Sequence, residues 1–153
     1  MEIKTKPKTF TYDVDVQWTE ELKGRMDAEG KPPVEVATPP EFKGHPGIWS
    51  PEDLFVESVN VCTMVTFAGI SRRRGVKFLG YRCRARGVLE MVDGAFKFTQ
   101  ITLEPVVTVA EEADVEPVRE TLREAEAKCL IANSITARVQ MNERVTVQSV
   151  VES

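Results

Sequence analysis

Ser50-Pro51-Glu52-Asp53-Leu54-Phe55-Val56-Glu57-Ser58-Val59-Asn60-Val61-Cys62 opens the most legible element of the chain. Ser50 is a good N-cap, since its hydroxyl can accept a hydrogen bond from an N–H of the first turn that has no intrahelical partner. Pro51 suits the first helical position, where its missing N–H costs nothing. Glu52 and Asp53 complement the positive end of the helix dipole, and Arg72, Arg73 and Arg74 suit the negative end. The pattern predicts a helix from Pro51 to about Arg74 that stops at Gly75. Between residues 54 and 70 the only charge is Glu57, while Phe55, Val56, Val59, Val61, Met64, Val65, Phe67 and Ala68 surround the axis. A helix apolar nearly all round is a buried one, so this is expected to be a central core helix or an interface helix.

Upstream, Phe10, Tyr12, Val14, Val16 and Trp18 fall at every second position, the period of a half-buried strand. Residues 19–47 carry Gly24, Gly30, Pro32, Pro33, Pro39, Pro40, Gly44, Pro46 and Gly47, which predicts a long loop with room for a short strand at Val34-Glu35-Val36. Such a loop is either functional or a mobile surface excursion, and composition leaves both open. Downstream, alternation returns over residues 76–92. Asp93-Gly94 is a hairpin turn signal, and 95–109 is the return strand. A second helix is expected from near Pro117, with Val118, Leu122, Ala125 and Cys129 on one apolar stripe and Glu124–Lys128 as an i,i+4 pair on the wet side. Residues 137–150 read as a final strand. Hairpins plus two helices make a single α+β domain over residues 1–153.

The chain has 153 residues, 42% of them hydrophobic and 29% charged, with a net charge of −4. That mild acidity leaves no footprint for nucleic acid or an anionic membrane. The N-terminus lacks the apolar segment of a secretory signal, and no uninterrupted apolar run is long enough to span a bilayer, so a cytoplasmic location is expected. Three cysteines without a signal do not form a secreted disulfide framework. Their spacing also lacks the paired ligands of a zinc site, and the single histidine, His45, lies between Gly44 and Pro46 in a loop that reads as surface. No metal is expected. Thiols, carboxylates and arginines are the remaining stock for chemistry.

Cys62 lies in the middle of the apolar helix and Cys129 on the stripe of the second. Each is either a small core hydrophobe or a reactive thiol, and residue type alone favours the former. The quoted helix, and Lys128-Cys129-Leu130-Ile131-Ala132-Asn133-Ser134, resemble the OsmC/Ohr family, the osmotically inducible and organic hydroperoxide resistance proteins. The resemblance covers most of the chain. Many members have proline directly after the second cysteine, where Leu130 stands here.

The resemblance implies an OsmC-like fold of antiparallel sheets with a long buried central helix, in an intertwined homodimer. It implies a thiol peroxidase that reduces organic hydroperoxides, with no bound cofactor. Cys62 would be the peroxidatic nucleophile and Cys129 the resolving thiol. Glu52 would match a glutamate that orients an active-site arginine. Arg25 is assigned that part as the only arginine between the N-terminus and Ser50. Reducing equivalents would come from an external dithiol such as a lipoylated protein.

Glu52 and Cys62 are ten residues apart, about 15 Å along a helix, so a two-fold dimer is the arrangement that would bring Glu52 of one subunit towards Cys62 of the other. Phe42 and Trp49 flank the helix start as candidate walls of an apolar substrate pocket or as plain core residues. Cys83 alternates with Tyr81 and reads as packing, and Glu57 as either a second site or a partly exposed turn. Two competing readings remain: a non-catalytic OsmC-like protein binding an apolar small molecule, and a hotdog-type thioesterase, for which the acid–base inventory is poor.

Overall fold

The computed structural model describes residues 6–149, which fall into two compact units that divide between Asp53 and Leu54. The first unit holds a three-stranded antiparallel sheet in the order β1 (Asp15–Glu20), β2 (Lys23–Asp27), β3 (Val34–Ala37). Strand β2 lies inside the stretch expected to be loop. Gly24 permits it, because a side chain there would press on the Gln17 carbonyl of the neighbouring strand. Strand β1 starts later than the alternation of residues 10–18 suggested. Phe10, Tyr12, Val14, Val16 and Trp18 are all exposed rather than half-buried. Alternation reports which side chains want cover; it does not say that one chain supplies it.

Helix α1 (Pro51–Arg74) has the predicted ends. Ser50 Oγ accepts the Asp53 N–H at 3.1 Å, and Asp53 Oδ2 accepts the Ser50 N–H at 3.0 Å. This is a reciprocal cap of the capping-box kind, with aspartate as the partner.

The second unit is built on a long hairpin, β4 (Gly80–Val92) and β5 (Ala95–Val109), turned at Asp93-Gly94 with both residues at positive φ. The expected final strand is broken at Asn142 and Glu143 into β6 (Arg138–Met141) and β7 (Arg144–Val147). Both run parallel to β5, so this sheet is mixed rather than antiparallel throughout.

One face of the sheet carries the core. Ile101, Leu103, Val107 and Val109 of β5 are buried beneath α1 and α2 (Val115–Lys128), whose Val118, Leu122 and Ala125 form the predicted stripe. Gly87 lets α1 sit close to β4, because a β-carbon there would collide with Val56 and Phe98. The Phe55 and Phe98 rings stack beside it, 4.8 Å apart. The ends of the two helices are tied by Arg74–Glu124 at 2.5 Å, and Glu124 also takes Lys128 at 2.6 Å. Arg74 is thus more than a solvated dipole cap.

Burial of α1 is one-sided. Val59, Asn60, Thr63, Phe67, Ile70 and Ser71 are enclosed, whereas Val61, Met64 and Val65 are exposed. Among the described residues α1 is the one helix long and apolar enough to cross a bilayer, with 39% of its most apolar window buried in the chain. A helix written for burial on all sides finds cover on one, and this separates the two expectations for it: within a single chain it is half core and half apolar surface.

Candidate active site

The site is assembled from the middle of α1 and the loop that follows α2. Cys62 is half-buried on α1. Helix α2 ends at Lys128, and Cys129 caps it with extended backbone, φ −64° and ψ 107°. The chain then folds into a 3-10 turn over Ala132–Ser134, held by the Asn133 N–H to the Cys129 carbonyl at 3.0 Å and by the Ser134 hydroxyl to the Leu130 carbonyl at 2.7 Å. This turn lays the peptide N–H groups of Leu130, Ile131 and Ala132 against the sulfur atoms.

The two cysteines meet. The Cys129 thiol lies within hydrogen-bonding reach of Cys62 and also faces the Val59 carbonyl, at 3.9 Å, one turn before Cys62 on α1. Their environments push their acidities apart. Partial burial opposes ionisation of Cys62, but it is outweighed by donors from the Ile131 N–H, the Cys129 thiol, the Thr66 hydroxyl and the Leu130 N–H, which hold its thiol below the usual range. Cys129 is pushed up, first by burial, with only 1% of its surface exposed, and further by the neighbouring Cys62 sulfur, against the help of the Ala132 N–H and Thr63 hydroxyl. Cys62 is therefore the more readily ionised and the more accessible sulfur, and Cys129 is a protonated thiol beside it. A thiolate is the nucleophilic form, so this pair is divided into an attacker and a proton-bearing neighbour.

Thr66 and the peptide N–H groups of Leu130 and Ile131 were not singled out from the sequence. The spacing of Thr66 from Cys62, one helical turn, was a signal that could have found it. Backbone donors carry no residue-type signal. Leu130 is the informative exception, because a proline in its place would have no N–H to give. Its side chain is 66% exposed beside the thiols.

The other predicted residues lie in the first unit. Arg25 is exposed on β2, paired in register with Gln17 and Glu35. Glu52, in the first turn of α1, has its Oε2 buried without a hydrogen-bond partner among the described residues. Trp49 is 49% exposed and lines a shallow, open depression with Gly47, Ile48 and Asp53, while its carbonyl accepts the Ala37 N–H at 2.9 Å. Phe42 is 38% exposed at the end of a 3-10 turn over Pro40–Phe42. His45 lies 3.3 Å from Glu21 in the same unit.

Cys83 is half-buried on β4, and its thiol is pushed up by burial. Glu57 is a partly exposed residue on a turn of α1. Its Oε1 accepts the Asn60 amide at 3.0 Å, and that amide also reaches the Cys83 carbonyl at 3.2 Å, linking α1 to β4. No group of histidine, cysteine and acidic residues suited to a metal occurs among the described residues.

A model of the OsmC-like protein family matches residues 44–144, about two thirds of the chain. No curated protein is similar enough in sequence to count as a relative. Several solved structures share the fold at low identity. An OsmC-like protein of unknown function from Vibrio cholerae is 18% identical with a TM-score of 0.79, covering 88% of this chain and 99% of its own. An organic hydroperoxide resistance protein from Legionella pneumophila is 18% identical with a TM-score of 0.70, covering 92% of this chain and 100% of its own. The organic hydroperoxide resistance protein OhrB of Bacillus subtilis is 17% identical with a TM-score of 0.62, covering 91% and 98%.

Proposed function

The chain belongs to the OsmC-like protein family, whose members point to a redox or peroxidase role, and from that premise we propose that it is a thiol peroxidase that reduces organic hydroperoxides. The observation that carries the reading is the thiol pair: an accessible Cys62 held towards the anion, and a buried, protonated Cys129 in hydrogen-bonding reach of it.

The Cys62 thiolate attacks the distal oxygen of the hydroperoxide. The O–O bond breaks, a proton is taken up, and the alcohol leaves while Cys62 becomes a sulfenic acid. Cys129 then condenses with that sulfur, so an S–S bond forms and water departs. An external dithiol reduces the disulfide by exchange and is itself oxidised; by family resemblance a lipoylated protein suits this part. Arg25, steered by the unpartnered carboxylate of Glu52, is proposed to hold the peroxide oxygens, since a guanidinium stays charged at any working pH. Phe42 and Trp49 are proposed to receive the carbon portion of the substrate.

The working unit is proposed to be a homodimer. Val61, Met64 and Val65 on α1 and the uncovered residues around β1 provide the apolar surface that a second copy would bury. Treating the protein with one equivalent of cumene hydroperoxide and weighing it by mass spectrometry tests the reading. A single intramolecular bridge between Cys62 and Cys129 is expected. Two unmodified thiols after exposure would overturn it and favour a binding protein instead.

A further inference from the structure

The second unit's sheet has an outer face that the thiol chemistry does not use. Its inner positions on β5, Ile101, Leu103, Val107 and Val109, are buried under the helices, so the alternate positions point away from the core. Read through the strand register, these outward positions are Arg82, Arg84, Arg86 and Val88 on β4, and Gln100, Thr102, Glu104, Val106 and Thr108 on β5. They continue with Arg138 and Gln140 on β6, and Arg144 and Thr146 on β7. Five arginines share this face with two carboxylates, Glu104 on β5 and, beyond the bulge, Glu90 on β4, in a chain whose net charge is −4.

The arginines are exposed, and none has a carboxylate within salt-bridge distance among the described residues. Arg82, Arg84 and Arg86 follow one another on a single strand at about 6.8 Å, two residues of strand rise. Arg82 and Arg144 flank Val106 from opposite sides in register. Like charges this close repel, and among the described residues Glu104, opposite Arg84 in register, offsets that repulsion only in part.

We infer that this face docks the acidic surface of another protein, with Arg82, Arg84 and Arg86 as its central row and Arg138 and Arg144 at its margin. Guanidinium groups on a rigid strand suit carboxylates, which they can grip with two parallel hydrogen bonds. The alternative polyanion, nucleic acid, fits less well. No outward position is aromatic, so there is nothing for a base to stack on. A second copy of this chain offers an acidic segment at Glu111, Glu112 and Asp114, but seating it on the arginine face is a head-to-tail contact that need not close on itself.

The test uses a fluorescent 20-residue poly-glutamate peptide as the acidic probe, at low and physiological salt, on the full chain. Wild type is expected to bind it in a salt-sensitive way. The variant Arg82→Gln/Arg84→Gln/Arg86→Gln is expected to bind roughly tenfold more weakly. A charge-matched control, Arg72→Gln/Arg73→Gln/Arg119→Gln, is expected to stay near wild type. Arg138→Gln/Arg144→Gln gives a second, separate reading of the same face if the triple variant folds poorly by circular dichroism.

Equal losses in the control would overturn the proposal, as would no binding by wild type. So would tighter binding of a DNA duplex that the triple variant abolishes. Salt-sensitive self-association in sedimentation, removed by the triple variant, would make the occupant another copy and also overturn it.

Discussion

Cys62 and Cys129, one half-exposed on α1 and the other closed off at the end of α2, bring their thiols within hydrogen-bonding reach with no bond yet between them. The arrangement divides labour before any substrate arrives. Cys62→Ser is expected to abolish peroxide turnover. Cys129→Ser is expected to complete one turnover and then stop as a sulfenic or more oxidised acid, visible as added oxygen in the intact mass. Multiple turnover by the Cys129 variant at the wild-type rate would remove Cys129 from the mechanism.

The acidity difference sets a pH dependence. Because Cys62 is depressed and Cys129 raised, alkylation by iodoacetamide is expected to reach its half-maximal rate at lower pH for Cys62 than for a free thiol, and at higher pH for Cys129. Thr66→Val removes one donor from Cys62, a loss of about 1 kcal/mol, and should slow its alkylation at neutral pH roughly fivefold. Thr66→Ser should restore the rate. Peptide mapping across a pH series reads both sites at once, and an unmoved Cys62 profile in the valine variant would count against the donor.

The Leu130 N–H is one of the groups that favour the Cys62 anion. Leu130→Pro should fold, since the extended ψ of 107° at Cys129 is what a residue before proline adopts. Its Cys62 should nevertheless alkylate more slowly than wild type below pH 8, because proline has no hydrogen to donate.

Gly87→Ala should destabilise the fold by about 1–3 kcal/mol, because the added carbon meets Val56 and Phe98 where α1 presses on β4. Urea unfolding of the two proteins checks it. A midpoint equal to wild type would mean that the helix moves aside freely.

Val61→Asp combined with Val65→Asp places charge on the exposed apolar side of α1, 46% and 52% uncovered in the chain. Sedimentation is expected to give a monomer with turnover lost. A monomer with full activity would separate the peroxidase reading from the dimer.

Much of this was open to inspection in the primary structure. The ends of α1 follow from Ser50, Pro51 and Gly75, and the hairpin from Asp93-Gly94, because caps and tight turns depend on a few adjacent residues with special backbone needs. Strand β2 was not legible, since Gly24 reads as a breaker until the strand beside it is known. The break at Asn142 and the parallel pairing of β6 and β7 with β5 were hidden for the same reason: they depend on partners far away in the chain.

The identity of the chemistry and its spatial realisation divide along the same line. Local residue types determined where the helices and the hairpin turn lie, and family resemblance in two short segments marked two cysteines. Only the tertiary structure decided that those sulfurs meet, that Cys62 is the more acidic of the two, and that its donors are the Cys129 thiol, a threonine hydroxyl and peptide N–H groups. Acidity is set by desolvation and by donors close in space, and folding brings those together without regard to sequence separation.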